Sequence, residues 1–195
     1  MASNEILLFT DSFDENTSEM ENALKRVGFE LHDVVNIAKN TEVQQEYSSA
    51  SLIVCHFRKV KSQYLNQIAR LVILDPKPVV LFTSDDSSKA IDKAVKIGVN
   101  AYIINGFSTD RIKPILEIAV SRFNSHQQIV GELHKTRQQL QDRKIIDKAK
   151  GILMRNKQVD EEAAYTMIRK MAMDKSKRMV DIARSIIDVM NVLKT

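Results

Sequence analysis

Two sets of residues in this sequence have the types and spacing to do chemistry. The first is cationic. Between Lys135 and Arg178 there are 13 Lys and Arg against 6 Asp and Glu, a surplus suited to a polyanion, because each cation that neutralises a phosphate releases a condensed counterion. The second set stands where short apolar runs end, at Thr10-Asp11-Ser12, His56-Phe57, Thr83-Ser84-Asp85-Asp86 and Asn105-Gly106. Carboxylates and a hydroxyl at such ends invite a phosphoryl-transfer reading. Other chemistries find no material. The five glycines are isolated and form no phosphate-binding loop, and there is no nucleophile elbow. His32, His56, His126 and His134 give no i, i+4 metal pair, and a single Cys55, set in an apolar run, excludes a disulfide framework and a cysteine-rich zinc site. Cys55 is expected to be buried and inert, and no metal or cofactor is expected.

The elements that must position these residues change character along the chain. Residues 1–110 hold 11 Lys and Arg against 15 Asp and Glu, whereas residues 111–195 hold 18 against 10. An acidic domain joined to a basic one is the natural reading. In the acidic part, apolar runs at Ile6–Phe9, Leu52–Cys55, Val79–Phe82 and Ala101–Ile104, with Leu31–Val35 read as a further strand, alternate with helical patterns. Those patterns cover Glu15–Val27, Tyr64–Leu74, Lys89–Ile97 and a helix beginning at Asp110, with a short helix expected over residues 40–49. Continuous apolar strands separated by helices imply an α/β, flavodoxin-like domain: a parallel five-stranded sheet of order 2-1-3-4-5 covered on both faces. Its function is expected at the carboxyl ends of the strands.

From Lys113 to Lys144, with Pro114 assigned to the first turn, the residues Leu116, Ala119, Phe123, His126, Val130, Leu133, Arg137, Leu140 and Lys144 follow alternating spacings of three and four. This heptad seam predicts a long coiled-coil helix and a parallel homodimer. The last 50 residues predict an all-α three-helix domain. Its first helix fades at Asn156-Lys157-Gln158, and Asp160 and Ser176 serve as N-caps of the other two. The domains are placed at 1–120, 113–144 and 145–195. The apolar runs are too short to span a bilayer, and the N-terminus lacks the marks of a signal peptide. A cytoplasmic protein with no membrane partner is expected.

Residues 5–120 resemble a response-regulator receiver domain. That family carries an acidic pair after its first strand, an aspartate phosphoacceptor after the third, a hydroxyl after the fourth and Lys-Pro after the fifth. The resemblance implies that Asp11, His56, Thr83 and Asn105 occupy the four positions. Thr10 or Ser12 then replaces the second acid, His56 the acceptor, and Asn105-Gly106 the Lys-Pro. The pocket is therefore degenerate, and aspartyl phosphorylation is not expected. His56 is read as a strand-end histidine in a structural hydrogen bond.

The runs Ala149-Lys150-Gly151-Ile152-Leu153-Met154, Glu162-Ala163-Ala164-Tyr165, Ile168-Arg169-Lys170-Met171-Ala172-Met173 and Asp181-Ile182-Ala183 resemble, in residues and gaps, the ANTAR domain. This is the RNA-binding output module of AmiR- and NasR-type transcription antiterminators. The whole order of domains is similar to the AmiR/NasT type, and the runs Val79–Thr83, Ala101–Gly106 and Lys170–Asp174 lean toward the NasT branch of nitrate and nitrite assimilation. The resemblance implies a non-enzymatic regulator that binds a leader mRNA with paired hairpins and favours the antiterminator over the terminator. It further implies a homodimer and a ligand-sensing regulatory protein, a nitrate sensor, as partners.

The candidate RNA contacts are Lys150, Arg169, Lys170, Lys175 and Arg178. For Arg169 a salt bridge to Asp147 or Asp181 competes. Gly151 is expected to admit another backbone. Tyr165 and the Met171-Met173 pair are read as core. The competing function is a DNA-binding response regulator with a three-helix output domain. Against it, the joint between the last two helices lacks the usual glycine turn. A pure protein-interaction adaptor is a third class.

Overall fold

Strands β1 (Glu5–Thr10), β2 (Glu30–Asn36), β3 (Leu52–Phe57), β4 (Val79–Thr83) and β5 (Ala101–Ile104) form one parallel sheet of order β2-β1-β3-β4-β5. Their side chains alternate between two apolar layers, as the period of two requires. In this computed structural model, which describes residues 4–39 and 49–192, Leu7, Phe9, Ile53, Cys55 and Leu81 face one way. They pack with Tyr64, Leu65 and Ile68 of α2 (Ser62–Leu74) and Ala94 of α3 (Ser88–Lys96). Ile6, Leu8, Val54, Val80 and Phe82 face the other way. There they meet Met20 and Leu24 of α1 (Glu15–Arg26) and Ile112, Leu116 and Ala119 of α4 (Thr109–Lys157). Burial on both faces explains why β1, β3 and β4 read as unbroken apolar runs. The short helix expected over residues 40–49 lies, but for its last residue, outside the described residues.

Register brings the candidate residues to one edge. Thr10 pairs with His56, Phe57 with Thr83, and Thr83 with Ile104. Helix α1 is capped by Asp14, whose carboxylate accepts the Thr17 N–H at 3.1 Å. It closes on Gly28 at φ +91°, with the Gly28 and Phe29 N–H groups donating to the Lys25 and Leu24 carbonyls. This paired closure needs a left-handed residue, which glycine supplies without steric cost.

The chain divides into two units, Met1–Gln127 and Gln128–Thr195. Helix α4 is continuous over 49 residues, so the expected coiled-coil helix and the first helix of the C-terminal bundle are one element. It starts early enough to put Pro114 in its second turn, not its first. Two members of the expected seam, Leu116 and Ala119, are fully buried in the α/β core and are not available to a second chain. Farther along α4, Ile129, Val130, Leu133 and Leu140 are exposed.

In the second unit, α5 (Glu161–Asp174) and α6 (Met179–Val192) complete the bundle with α4. Its core is Ala149, Ile168, Ala172, Ile182 and Ala183, joined by Ile145, Ile146, Leu153, Met171, Met179 and Ile186. Val189, on α6, is exposed. Asp160 caps α5 as expected, accepting the Ala163 N–H at 2.7 Å. Ser176 does not cap α6. It sits at φ +49° and closes α5, with Ser176 and Lys177 N–H groups donating to the Met173 and Ala172 carbonyls at 3.1 and 2.9 Å. That is the closure Gly28 makes on α1, built here on a side chain that resists the left-handed region.

Candidate nucleic-acid interface

The strand-end residues of the first unit come together, and their polar groups are spent on holding loops. Both Asp11 oxygens face the Arg58 N–H, at 3.1 and 3.3 Å. The Arg58 guanidinium reaches Asp14 at 2.8 Å, and the Arg58 carbonyl accepts the Thr83 hydroxyl at 3.3 Å. Asp85 accepts the Val60 N–H at 3.1 Å and both the N–H and hydroxyl of Ser87. Hydrogen bonds from Thr17 and Ser87 hold the Asp14 and Asp85 carboxyls below their ordinary range.

Asn105 and Gly106 both have positive φ, +62° and +84°. Proline, locked near −65°, cannot take the place of Gly106. His56 departs from expectation: among the described residues its ring makes no hydrogen bond. Its ring instead meets Phe107 edge-on at 6.0 Å, and burial pushes its pKa down. Cys55 is buried, and desolvation pushes its thiol up. Among the described residues no cluster of His, Cys, Asp or Glu is arranged to hold a metal ion. Arg58 and Asp14 were not singled out from sequence. Their signal was position alone, one residue beyond β3 and the cap of α1.

The second unit carries the cations. Arg169 and Lys170 are exposed on α5, and Lys175, Lys177 and Arg178 are exposed in the joint to α6. No ion pair engages Arg169, Lys170, Lys175 or Lys177 among the described residues; neither expected competitor for Arg169 reaches it. Asp181 instead takes a two-pronged bond from Arg178, Nε and Nη2 each at 3.1 Å, which lowers the Asp181 pKa and raises that of Arg178. Lys150 is held more tightly. Its Nζ lies 2.7 Å from Asp147 and 2.6 Å from Glu161, with the side chain only 14% exposed. Those two bonds raise its pKa.

Glu161 opens α5 and Lys175 follows its last turn, so Lys150 stands roughly 20 Å along the α5 axis from Lys175 at 1.5 Å per residue. The five candidate contacts therefore form no single cluster. Two further expectations fail locally. A Cβ on Gly151 would meet only the Arg155 guanidinium, at 4.0 Å, so no neighbouring backbone among the described residues comes within 4 Å of it. Tyr165 is 43% exposed and Met173 also lies outside the core, while Met171 packs within it.

Comparison with known proteins gives this bundle a family. Residues 134–187 match the model of the ANTAR domain. Those residues form an ANTAR domain. It is 22% identical over 176 residues to the transcriptional regulatory protein PdtaR of Mycobacterium tuberculosis, covering 90% of this chain and 86% of that one. It is 42% identical over 77 residues to the nitrate regulatory protein of Klebsiella oxytoca, covering 40% of this chain and 19% of that one. The signal receiver domain of an HD domain-containing protein from Pseudomonas fluorescens superposes with a TM-score of 0.53 at 19% identity, over 66% of this chain and 94% of that one. That likeness shows the receiver fold of the first unit. All five candidate cations lie inside the ANTAR match. No helix among the described residues is long and apolar enough to cross a membrane.

Proposed function

We propose that this chain is an RNA-binding regulator of transcription antitermination. Its ANTAR domain binds a leader mRNA with paired hairpins and prevents the terminator from forming, and a homodimer through the exposed apolar residues of α4 presents one domain to each hairpin. The observation that carries this reading is an ANTAR domain whose α5 and α5–α6 joint expose Arg169, Lys170, Lys175 and Lys177 without a carboxylate partner among the described residues. Free cations at that density suit a phosphate backbone. Arg169, Lys170 and Lys175 contact phosphate directly, whereas Lys150 and Arg178 do so only by exchanging a carboxylate for it.

Control comes from association with a ligand-sensing protein in the cytoplasm, not from aspartyl phosphorylation. In support, His56 stands at the acceptor position and the nearby carboxylates are tied to backbone. Likeness to the nitrate regulatory protein supports nitrate and nitrite assimilation genes as the target. The test is titration of the protein against a two-hairpin leader RNA, the same RNA with altered loop bases, and a DNA duplex, each at two salt concentrations. Loop-dependent, salt-sensitive binding to RNA alone is expected. Equal binding to all three would reduce the basic face to a generic polyanion surface.

A further inference from the structure

Within the ANTAR domain, α4 and α5 enclose an open groove of about 360 Å³ whose lining includes Tyr165, Gln139, Asp142, Arg143 and the Lys150–Asp147 pair. The volume sits at the lower end of the range for small-molecule sites. Three features separate this groove from the cationic joint. First, its charges cancel, two carboxylates against one guanidinium and one ammonium, so a phosphate gains little there. Second, Tyr165 offers an aromatic face without obligation: among the described residues it makes no hydrogen bond and no ring contact, although Ala164 and Ile168 on the same helix are fully buried. Third, edge-reading groups are free. The Gln139 amide has no partner among the described residues, and Asp142 uses only Oδ1, toward Gln138 at 3.0 Å and Arg184 at 4.0 Å. Oδ2 is left to accept. The ion pairs of Lys150 fix the rim in advance, which lowers the ordering cost of binding.

A neutral, planar ligand with hydrogen-bonding edges fits these features, and single-stranded RNA is recognised by aromatic stacking with edge contacts. We propose that the groove receives one unpaired base of a hairpin loop, stacked on Tyr165, with its edge read by Gln139 and Asp142. Phosphates are held elsewhere, by the cations toward the far end of α5. The inference rests on the RNA-binding reading above and divides that surface into a base site and a backbone site, with Lys150 belonging to the first.

The probe is a pool of two-hairpin RNAs with randomised loops, selected on the full chain. A retained RNA is then titrated against the parent, Tyr165→Phe, Tyr165→Leu and Lys170→Ala, and again with a single abasic nucleotide at each loop position in turn. Tyr165→Phe keeps the ring and binds as the parent does. Tyr165→Leu weakens binding by about 5- to 150-fold, the worth of one stacked base, at an unchanged salt slope. One abasic position costs the parent a similar factor and costs Tyr165→Leu nothing further. Lys170→Ala lowers the salt slope and remains additive with every abasic position. Should Tyr165→Leu bind like the parent, or lose further affinity at every abasic position, the base site is wrong while RNA binding stands. A folded parent that retains no RNA from the pool removes both.

Discussion

Replacing Arg169, Lys170 and Lys175 together by alanine should flatten the salt dependence of RNA binding far more than replacing Lys150 and Arg178 together. The difference follows from their partners. The first three are exposed and unpaired among the described residues, so a phosphate that meets them displaces only counterions. Lys150 already lies within 2.7 Å of two carboxylates, and Arg178 is forked onto Asp181. Each direct phosphate contact contributes about 0.7 to 0.9 to the slope of log K against log salt. Three contacts contribute about 2.1 to 2.7, so between 50 and 200 mM salt the parent should lose about 20- to 40-fold more affinity than the triple variant. The Lys150 and Arg178 pair should change the slope by less than one contact. Because hydrogen bonds raise the pKa of both groups, they stay charged across neutral pH, and titration does not confuse the comparison. Fluorescence anisotropy of a labelled hairpin at four salt concentrations gives the slopes. Equal slope changes per residue in the two variants would refute the partition of free and neutralised cations.

Four other outcomes follow from the geometry. Ser176→Gly relieves the left-handed strain at the end of α5 and should stabilise the ANTAR domain by about 1 kcal/mol, roughly 4–8 °C by calorimetry for a unit of this size; an unmoved transition would mean the φ of +49° costs nothing. Leu116→Ala, at a fully buried site, should cost about 2–5 kcal/mol in urea unfolding. Leu133→Ala should leave dilute unfolding unchanged and instead weaken the proposed dimer in sedimentation, and a comparable loss in urea would place Leu133 in its own unit's core. Burial holds the His56 pKa below its ordinary 6.5, so the folded state resists the proton. Its contribution is complete above pH 6.5 and is lost as pH falls below that value. His56→Gln should therefore flatten the melting profile of the receiver fold between pH 6.5 and 5, and parallel profiles would show that His56 is not the group responsible.

Much of the fold was legible because buried parallel strands advertise themselves: each apolar run became a strand within two residues at either end, and the order followed from their alternation with helices. The failures have local physical causes. Nothing between Lys144 and Ile145 stops a helix, since there is no proline, glycine or cap, so a boundary drawn on function had no counterpart in the backbone. Leu116 and Ala119 satisfy both a heptad seam and the inner face of a packed helix, because the 3.5 and 3.6 periods diverge by only about 20° per heptad. Ser176 looked like a cap because serine favours N-caps, yet the preceding helix needed closing and no glycine was supplied. Tyr165 adjoins Ala164, but the buried stripe of α5 is narrow, running Ala164, Ile168 and Ala172, and one step of 100° carries the ring outside it.

The fate of the strand-end acids bears on how such a molecule is switched. A phosphorylated receiver needs an acceptor carboxylate free to react and a cation free to meet the product. Here Asp11 and Asp85 each accept backbone N–H groups from the loop after β3, and Asp14 caps α1 while holding Arg58. Removing any one of them would release a loop, not open a reactive site. The same bonds make the carboxyl edge of the sheet rigid and pre-shaped, which is what a protein partner requires of a surface it must recognise without chemistry. A receiver fold that has turned its acids into structural ties is thus suited to control by association, and the proposed sensor has a fixed edge on which to act.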